Sequence, residues 1–574
     1  MIKRSSEAME SAKRTCKPKS HQQLKKYIEK YVKEGMLPIL QAGIQVEGHS
    51  LLEAQELKGK EVAFINLEKL KITNDSLLKC LQERVGSKPK FFFEKFQNWA
   101  ENQRSFVISC YPETKDEMSR VIKAAAAESV GIRCAGARHS WAPVFSDTCQ
   151  VCVNIKNLKS DYSSLTKIRI ADIQKRTVDV MTGVTTGDLK AFQLQTKLNL
   201  NANVILDLVQ MVSVAQTGCH GVGKDTHCLS DYLVQMRVFE SNGELRTYSL
   251  EKDKDVFKAV SAAFGCFGIV YDVTFKMDPE IIVATTTSYP RMHDTFGNED
   301  KLRKIVEENW AVEIFWFPFN SFPFDLTNDE IWVRTFNKIP GSEKVEDAKF
   351  YETKDAHDRI SQEALSIVSP LITSHESLVP LFQWLSFQSI RYILYPSRKI
   401  YQEIPHAIHF RKYLDLAEVY DLEFVFDYKG DYSRLKKIIQ VVVTVVQQFR
   451  AKKQYPLNVS LEMRFMTSSD AYLGTGNIAH PRYGGSGHVV CIEVLSLKGT
   501  KTWEEFSRAV GKEWMELGGV PHLAKQYDHL PDIFKYIRQK MARPIADFKD
   551  SLKKAGVDPS LYLNTGMRKL LGYE

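Results

Sequence analysis

The chain has 574 residues, 44 % of them hydrophobic and 26 % charged, with a formal net charge of +8. Ten Lys/Arg stand against four Glu between Met1 and Gly35, so the positive surplus is concentrated at the N-terminus and the remainder is near balance. That distribution excludes a nucleic-acid-binding body, which would carry a basic face or stripe, and leaves the N-terminus as a solvated tail or a peripheral membrane contact.

Ten cysteines in a chain this long do not form a disulfide scaffold. "MIKRSSEAMESAKR" lacks the apolar core of a secretory signal. "IIQVVVTVV", at 438–446, is too short to span a bilayer. We therefore expect two to four domains in a reducing, intracellular setting, cytoplasmic or peripheral to an organelle membrane, with no transmembrane helix.

Residues 1–94 read as a charged helical extension, with Ser50 and Glu53 at capping-box spacing and no evident chemistry. From Arg104 the texture changes. "SFVISCYP" predicts a buried strand ended by Pro112. "TKDEMSRVIKAAAAESVG" predicts a helix capped at Thr114 with Met118, Val121, Ile122 and Ala125 on one face, and "IRCA" the next strand. "GARHSWAP" is then the loop at a strand's carboxyl end, where α/β folds bind ligands. "TVDVMTG" predicts a strand and "GDLKAFQLQTKL" a helix. "DYLVQMRVFESNGELRTYS" is a hairpin turned at Asn242-Gly243, and "DVFKAVSAAFGCFGIVYDVTFKM" a helix, glycine turn and strand. After about residue 280 come aromatic-rich strands, "VEIFWFPFN", "EIWVRTF", "DLEFVFDY", "NVSLEMRF" and "HVVCIEVLSL", with helical runs near 357–390 and 432–450. The aromatic run "IFWFPF" reads as core. The end, from "TWEEFSRAVGKEWMEL", returns to helices.

The second glycine cluster, "QTGCHGVGKDTHCLSD", places Gly218, Gly221 and Gly223 within six residues, as an anion nest or as a plain glycine-rich turn. It is neither a dinucleotide fingerprint nor a P-loop, because the required glycine spacing and the Lys-Ser/Thr pair are missing. "SLEMRF" sets Glu462 and Arg464 two apart on a strand, and so on one face. "CQVC" has no second pair and "THC" no complementary ligands, so no metal is expected.

Together, "GARHSWAP", "TGCHGVG" followed by "LSD", "GCFGIVYDVTF", "LEMRF" and "PHLAK" resemble the sugar-lactone oxidases of the vanillyl-alcohol-oxidase-type flavoproteins, from about residue 95 onward. The resemblance implies an α+β fold of two domains. A PCMH-type FAD-binding domain would run over 95–280 and a cap domain with an antiparallel sheet over 281–504, with C-terminal helices, 505–574, returning to the FAD domain. It implies that Gly136, Ala137, Arg138, His139, Ser140 and Trp141, then Thr217, Gly218, Cys219, His220, Gly221 and Gly223, and finally Ser230, Gly268 and Ile269 cradle FAD. His139 would be bonded covalently to the flavin 8α-methyl; the alternative is a histidine that only hydrogen-bonds.

It further implies that Glu462, Arg464, His522 and Lys525 act on the substrate, although Leu523 stands where the family usually has an aromatic. The expected activity is hydride transfer from a carbinol of a sugar lactone or polyol, with oxygen or another acceptor taking the electrons. Oxidation of a sterol or other apolar alcohol on the same fold, and a flavin-free scaffold, are the alternatives.

Overall fold

Pairing of short apolar strands builds the first part of the fold. In the computed structural model, which describes residues 76–573 apart from 163–165, 341–343, 409–412 and 414–415, the predicted capping box at Ser50 and most of the N-terminal extension lie outside the described residues. Strands β1 (Phe92–Gln97) and β2 (Arg104–Cys110) pair antiparallel. The helix Lys115–Ala127 follows, with the Thr114 hydroxyl accepting from the Glu117 amide and Met118, Val121, Ile122 and Ala125 buried as the sequence pattern requires. Strands β3 (Ile132–Ala135) and β4 (Val151–Asn154) complete a sheet of order β1-β2-β4-β3, in which β4 is parallel to both neighbours. The loop carrying "GARHSWAP" leaves the carboxyl end of β3.

A second, five-stranded antiparallel sheet has the order β5-β6-β10-β8-β9. It is made of β5 (Ile168–Asp172), β6 (Thr177–Met181), β8 (Leu233–Phe239), β9 (Leu245–Ser249) and β10 (Ile269–Lys276). Between these, the short strands β7 (Leu198–Asn199) and β11 (Asp278–Pro279) pair with each other. The hairpin β8–β9 closes Phe239 on Leu245, and Gly243 supplies the positive φ of its turn, +77°.

The third sheet has eight strands in the order β15-β12-β14-β13-β17-β18-β16-β19, every pair antiparallel. They are β12 (Ile282–Ser288), β13 (Ala311–Trp316), β14 (Ile331–Ile339), β15 (Lys399–Glu403), β16 (Val419–Asp427), β17 (Ser460–Thr467), β18 (His488–Leu497) and β19 (Val520–Pro521). Alternation along its central strands decides which residues face which way. Leu422, Phe424 and Phe426 of β16, Leu461 and Met463 of β17, and Ile492 and Val494 of β18 bury one face. Helices Tyr432–Ala451 and Trp503–Glu516 cover that face: Trp514 stacks near Phe424, with ring centroids 5.4 Å apart, and donates to the Ile438 carbonyl at 3.1 Å. The opposite face carries Asp421, Glu423, Glu462, Arg464 and Glu493.

The C-terminal segment divides differently from the expected break at 505. Trp503–Glu516 and β19 belong to the cap sheet. Only the later helices reach the first two sheets, where Arg246 donates to the Ala555 carbonyl at 2.9 Å and Asn564 to the Pro143 carbonyl at 2.9 Å. Position 514, tryptophan on the apolar stripe of its helix, explains the difference, because its partner surface is β16 and not the first sheets. Among the described residues no helix is long and apolar enough to cross a membrane.

One buried cation ties the C-terminal segment down. Arg133 on β3, 5 % exposed, donates to the carbonyls of Val144 (2.7 Å), Tyr562 and Phe264. Arg133→Met keeps the volume but orphans three acceptors, each costing about 1–3 kcal/mol when left unmade in a dry interior. The urea midpoint is expected to fall strongly; a midpoint unchanged from wild type would show that these carbonyls find water instead.

Candidate functional site

A cavity of about 760 Å³ lies between the two glycine loops and the inner face of the cap sheet. Its wall includes Gly136 through Trp141, Thr217, Cys219, His220 and Gly268, together with Asp421, Glu423, Glu462, Arg464, Glu493, His522 and Lys525. The fold thus brings together, on one cavity, sequence motifs that lie several hundred residues apart.

The first loop approaches its neighbours so closely at its start that any side chain there would displace Gln210 and Ser213. A Cβ on Gly136 would sit 2.3 Å from Gln210 Oε1 and 2.9 Å from Ser213 Oγ. Arg138 takes a left-handed φ of +62°, held by an ion pair to Glu94 of β1 at 2.8 Å and by stacking over Phe96. Next to it, His139 stacks on Trp99 with centroids 4.7 Å apart. Burial pushes its imidazole down to about 4, so the ring is neutral at physiological pH. Its Nδ1 is buried without a hydrogen-bond partner. Trp141 fixes the end of the loop, its amide donating to the Ala524 carbonyl and its indole to the Val419 carbonyl, both at 2.9 Å.

The second loop contributes less wall than its glycines suggest. Gly218, Gly221 and Gly223 stand behind the cavity surface, where a Cβ on Gly218 would press on Thr475 and one on Gly221 on Asn203. Gly223 donates to the Phe465 carbonyl at 3.0 Å, which fastens this loop to β17. Ser230 and Ile269 are likewise buried outside the wall. The His220 side chain is engaged by the protein: its Nε2 lies 2.9 Å from Glu423 Oε1 and its Nδ1 3.0 Å from the Gly221 carbonyl.

The inner face of the cap sheet carries a cluster of ionisable groups. Cross-strand register sets Glu462 beside Glu493 and Glu493 beside Glu423. Arg464 reaches Glu493 at 3.1 Å, Glu462 at 3.2 Å and Glu423 at 3.5 Å. Lys525 donates to Glu493 at 2.8 Å and to Asp421, and lies 3.6 Å from Glu423. Two cations serve four carboxylates, and the acids divide. Burial drives Glu462 well above the usual carboxylate range, with Glu493 adding to it against the pull of Arg464. Burial and Glu493 do the same to Asp421 against Lys525. At Glu493 burial is outweighed by Lys525 and Arg464, and the group is held at about 2. At Glu423 it is outweighed by Lys525, His220, His522 and Arg464. Burial thus favours the protonated form at Glu462 and Asp421, while the cations favour the carboxylate at Glu423 and Glu493.

His522 is buried and pushed down to about 3 by that burial. Its Nδ1 accepts from the Ala524 amide at 3.1 Å, so its proton sits on Nε2. Three ligand-type atoms of His220, Glu423 and His522 come within 4.8 Å of one another, two of them joined by the His220–Glu423 hydrogen bond.

Sequence reasoning missed Asp421, Glu423 and Glu493, and also Gln210, whose Oε1 is buried and unpartnered at the cavity wall. The signal for the acids was their alternation with apolar residues in "DLEF" and "CIEV".

The FAD binding domain family matches residues 108–249 and the D-arabinono-1,4-lactone oxidase family residues 273–559, half of the chain. L-gulonolactone oxidase of Bos taurus is 23 % identical over 254 residues, 43 % of this chain and 53 % of that protein. D-arabinono-1,4-lactone oxidase of Kluyveromyces lactis is 23 % identical over 239 residues, 39 % and 42 % of the two chains. The matches thus span about half or less of these relatives. L-gulono-1,4-lactone dehydrogenase of Mycobacterium tuberculosis is 20 % identical over 471 residues, 80 % of this chain and 95 % of that protein. Among solved structures, the cholesterol oxidase from B. sterolicum superimposes with a TM-score of 0.68 at 16 % identity, covering 84 % of this chain and 97 % of that one. A solvent-stable cholesterol oxidase does so at 0.66 and 17 %, covering 85 % and 99 %. At such identities the likeness is one of fold.

Lys525 is the cation shared by most of the acids. Lys525→Met leaves Glu423 and Glu493 with Arg464 and takes from Asp421 its Lys525 partner, and breaking one partner out of a buried network costs about 3–5 kcal/mol. Urea unfolding is expected to register that loss, and Lys525→Met with Glu493→Gln to regain part of it. Equal stability of single and double variants would show that water, not Lys525, neutralises the cluster.

Proposed function

Since the chain belongs to the D-arabinono-1,4-lactone oxidase family, we propose that it is an FAD-dependent oxidoreductase that oxidises a carbinol of a hydroxylated lactone or polyol and passes the electrons to oxygen or another acceptor. The observation that carries this is the meeting of the His139 loop with the Glu462–Arg464 face on a single cavity. The cavity fits the cofactor in three respects: a glycine cradle at Gly136, a neutral imidazole with an unpartnered nitrogen, and an unpartnered amide oxygen at Gln210. Backbone groups of 136–141 and 217–220 would hold FAD. When bound, FAD supplies the acceptor for the hydride equivalent leaving the carbinol carbon.

The chain's own residues do the rest. A neutral Glu462 both donates to and accepts from substrate hydroxyls, which an ionised carboxylate cannot do. Arg464 and Lys525, both buried cations, would offset the negative charge that develops on oxidation, and a fixed cation in a covered site is worth more in the transition state than in the ground state. The His522 Nε2–H is a neutral donor facing the same space. Trp99 stacks on His139 and meets Trp141 edge-on, which would hold the imidazole in place. The basic residues before Gly35 would add a peripheral membrane contact, tested by salt-sensitive binding of the full chain to anionic vesicles.

His139 is the proposed point of covalent attachment. A neutral imidazole with a free Nδ1 is a competent nucleophile. On an acid-denatured gel, yellow fluorescence is expected to migrate with the chain and to disappear in His139→Ala; a colourless wild-type chain with yellow supernatant would refute attachment.

Arg464→Ala is expected to slow anaerobic flavin reduction by about a hundredfold, the usual cost of one preorganised electrostatic contact, at unchanged FAD content. Arg464→Lys restores it only in part, since a point charge cannot reproduce the planar fork. Reduction at the wild-type rate would remove Arg464 from the reaction.

A further inference from the structure

The inner face of the cap sheet is divided. One row of directly paired residues crosses it in the order Trp332, Phe315, Glu462, Glu493, Glu423. The first two of the row are aromatic and the other three acidic, and all five residues line the cavity. Phe315 stacks on Trp332 with centroids 4.6 Å apart, and Phe317, two residues further along, lies on the same side. Beyond these aromatics the cavity continues as an arm between the helices Ala348–Ser374 and Val379–Ser389. It ends at Ile360 and Leu385, apolar side chains that are 60 % and 45 % exposed.

The arm has few groups that could answer hydroxyls. Gln383 is tied to the protein by its amide, which donates to the Val459 carbonyl at 3.0 Å, leaving one unpartnered oxygen. Gln362 and three serines are its other polar borders. A sugar lactone carries a hydroxyl on almost every carbon, and each would lose its water against Phe315, Phe317 or Trp332 without a replacement, at a cost that a hydrocarbon avoids.

We propose that this arm holds the apolar body of the substrate, so that the molecule oxidised is an amphipathic carbinol, its hydroxyls at Glu462 and Arg464 and its hydrocarbon against Phe315, Phe317 and Trp332. The proposal rests on reading the site as one that oxidises carbinols. It narrows that reading to substrates with a polar end and a hydrocarbon tail, entering between the two helices past Ile360 and Leu385.

The test uses the flavin-loaded full chain, a series of terminal vicinal diols from propanediol to dodecanediol, and an unsubstituted sugar lactone as the polar reference. Affinity is read without catalysis, by displacement of anilinonaphthalene sulfonate, and flavin bleaching is followed separately without air. Affinity is expected to rise about fourfold per methylene until the arm is filled, with Phe317→Gln flattening the rise. Leu385→Gln, at an exposed position that does not threaten folding, is expected to flatten it at the longest chains. Affinity independent of chain length, with bleaching by the sugar lactone, would overturn the proposal and leave the lactone-oxidising function standing. A rising affinity with no bleaching by any diol or lactone would keep the arm and refute the function.

Discussion

Everything in the site depends on neutralising a cluster of buried acids. Asp421, Glu423, Glu462 and Glu493 arise from three adjacent strands and point into one space. Unpaired, they would repel one another and oppose closure of the sheet. Arg464 bridges β17 to β18 and to β16, while Lys525 arrives from the segment after β19 and joins the same acids from the other side. The same two cations that make the sheet tolerable are those that would meet negative charge during oxidation. Stability and chemistry share one network, and the proton count of the acids links them.

That network also explains why the two halves of the molecule are joined where they are. Lys525 sits over the Trp141 ring at 4.9 Å, and the Ala524 carbonyl holds the Trp141 amide. The loop that presents His139 is therefore anchored to the segment that supplies a substrate-side cation. Gly223, bonded to the Phe465 carbonyl, gives the second glycine loop a matching attachment to β17. Both loops are positioned by the cap sheet as much as by their own strands.

Much of this was legible in the sequence, for identifiable reasons. Strand alternation in "SLEMRF" put Glu462 and Arg464 on one face, and the small residues before His139 marked a close approach that Gly136 makes. The acids Glu423 and Glu493 were not legible, because a single acid inside an apolar strand carries no sign of which strands will pair beside it; only the register of β16, β17 and β18 assembles them. The glycines at 218, 221 and 223 lie behind the wall, where their missing side chains make room for Thr475, Asn203 and Thr226. "IFWFPF" looked like core. Phe315 and Phe317 are indeed buried, yet they line a cavity, a distinction that depends on where helices Ala348–Ser374 and Val379–Ser389 stop short of the sheet. The helix Trp503–Glu516 packs on β16 and not with the later C-terminal helices, because an apolar stripe specifies a partner surface without naming it.

The central claim is that burial keeps Glu462 a neutral acid, so that it can both give and take hydrogen bonds beside Arg464. Infrared difference spectroscopy of wild-type protein against Glu462→Gln at neutral pH tests this most directly. The account predicts the carbonyl stretch of a protonated, dry carboxyl in the wild type that is absent from the variant. A difference spectrum showing only carboxylate stretches would contradict it.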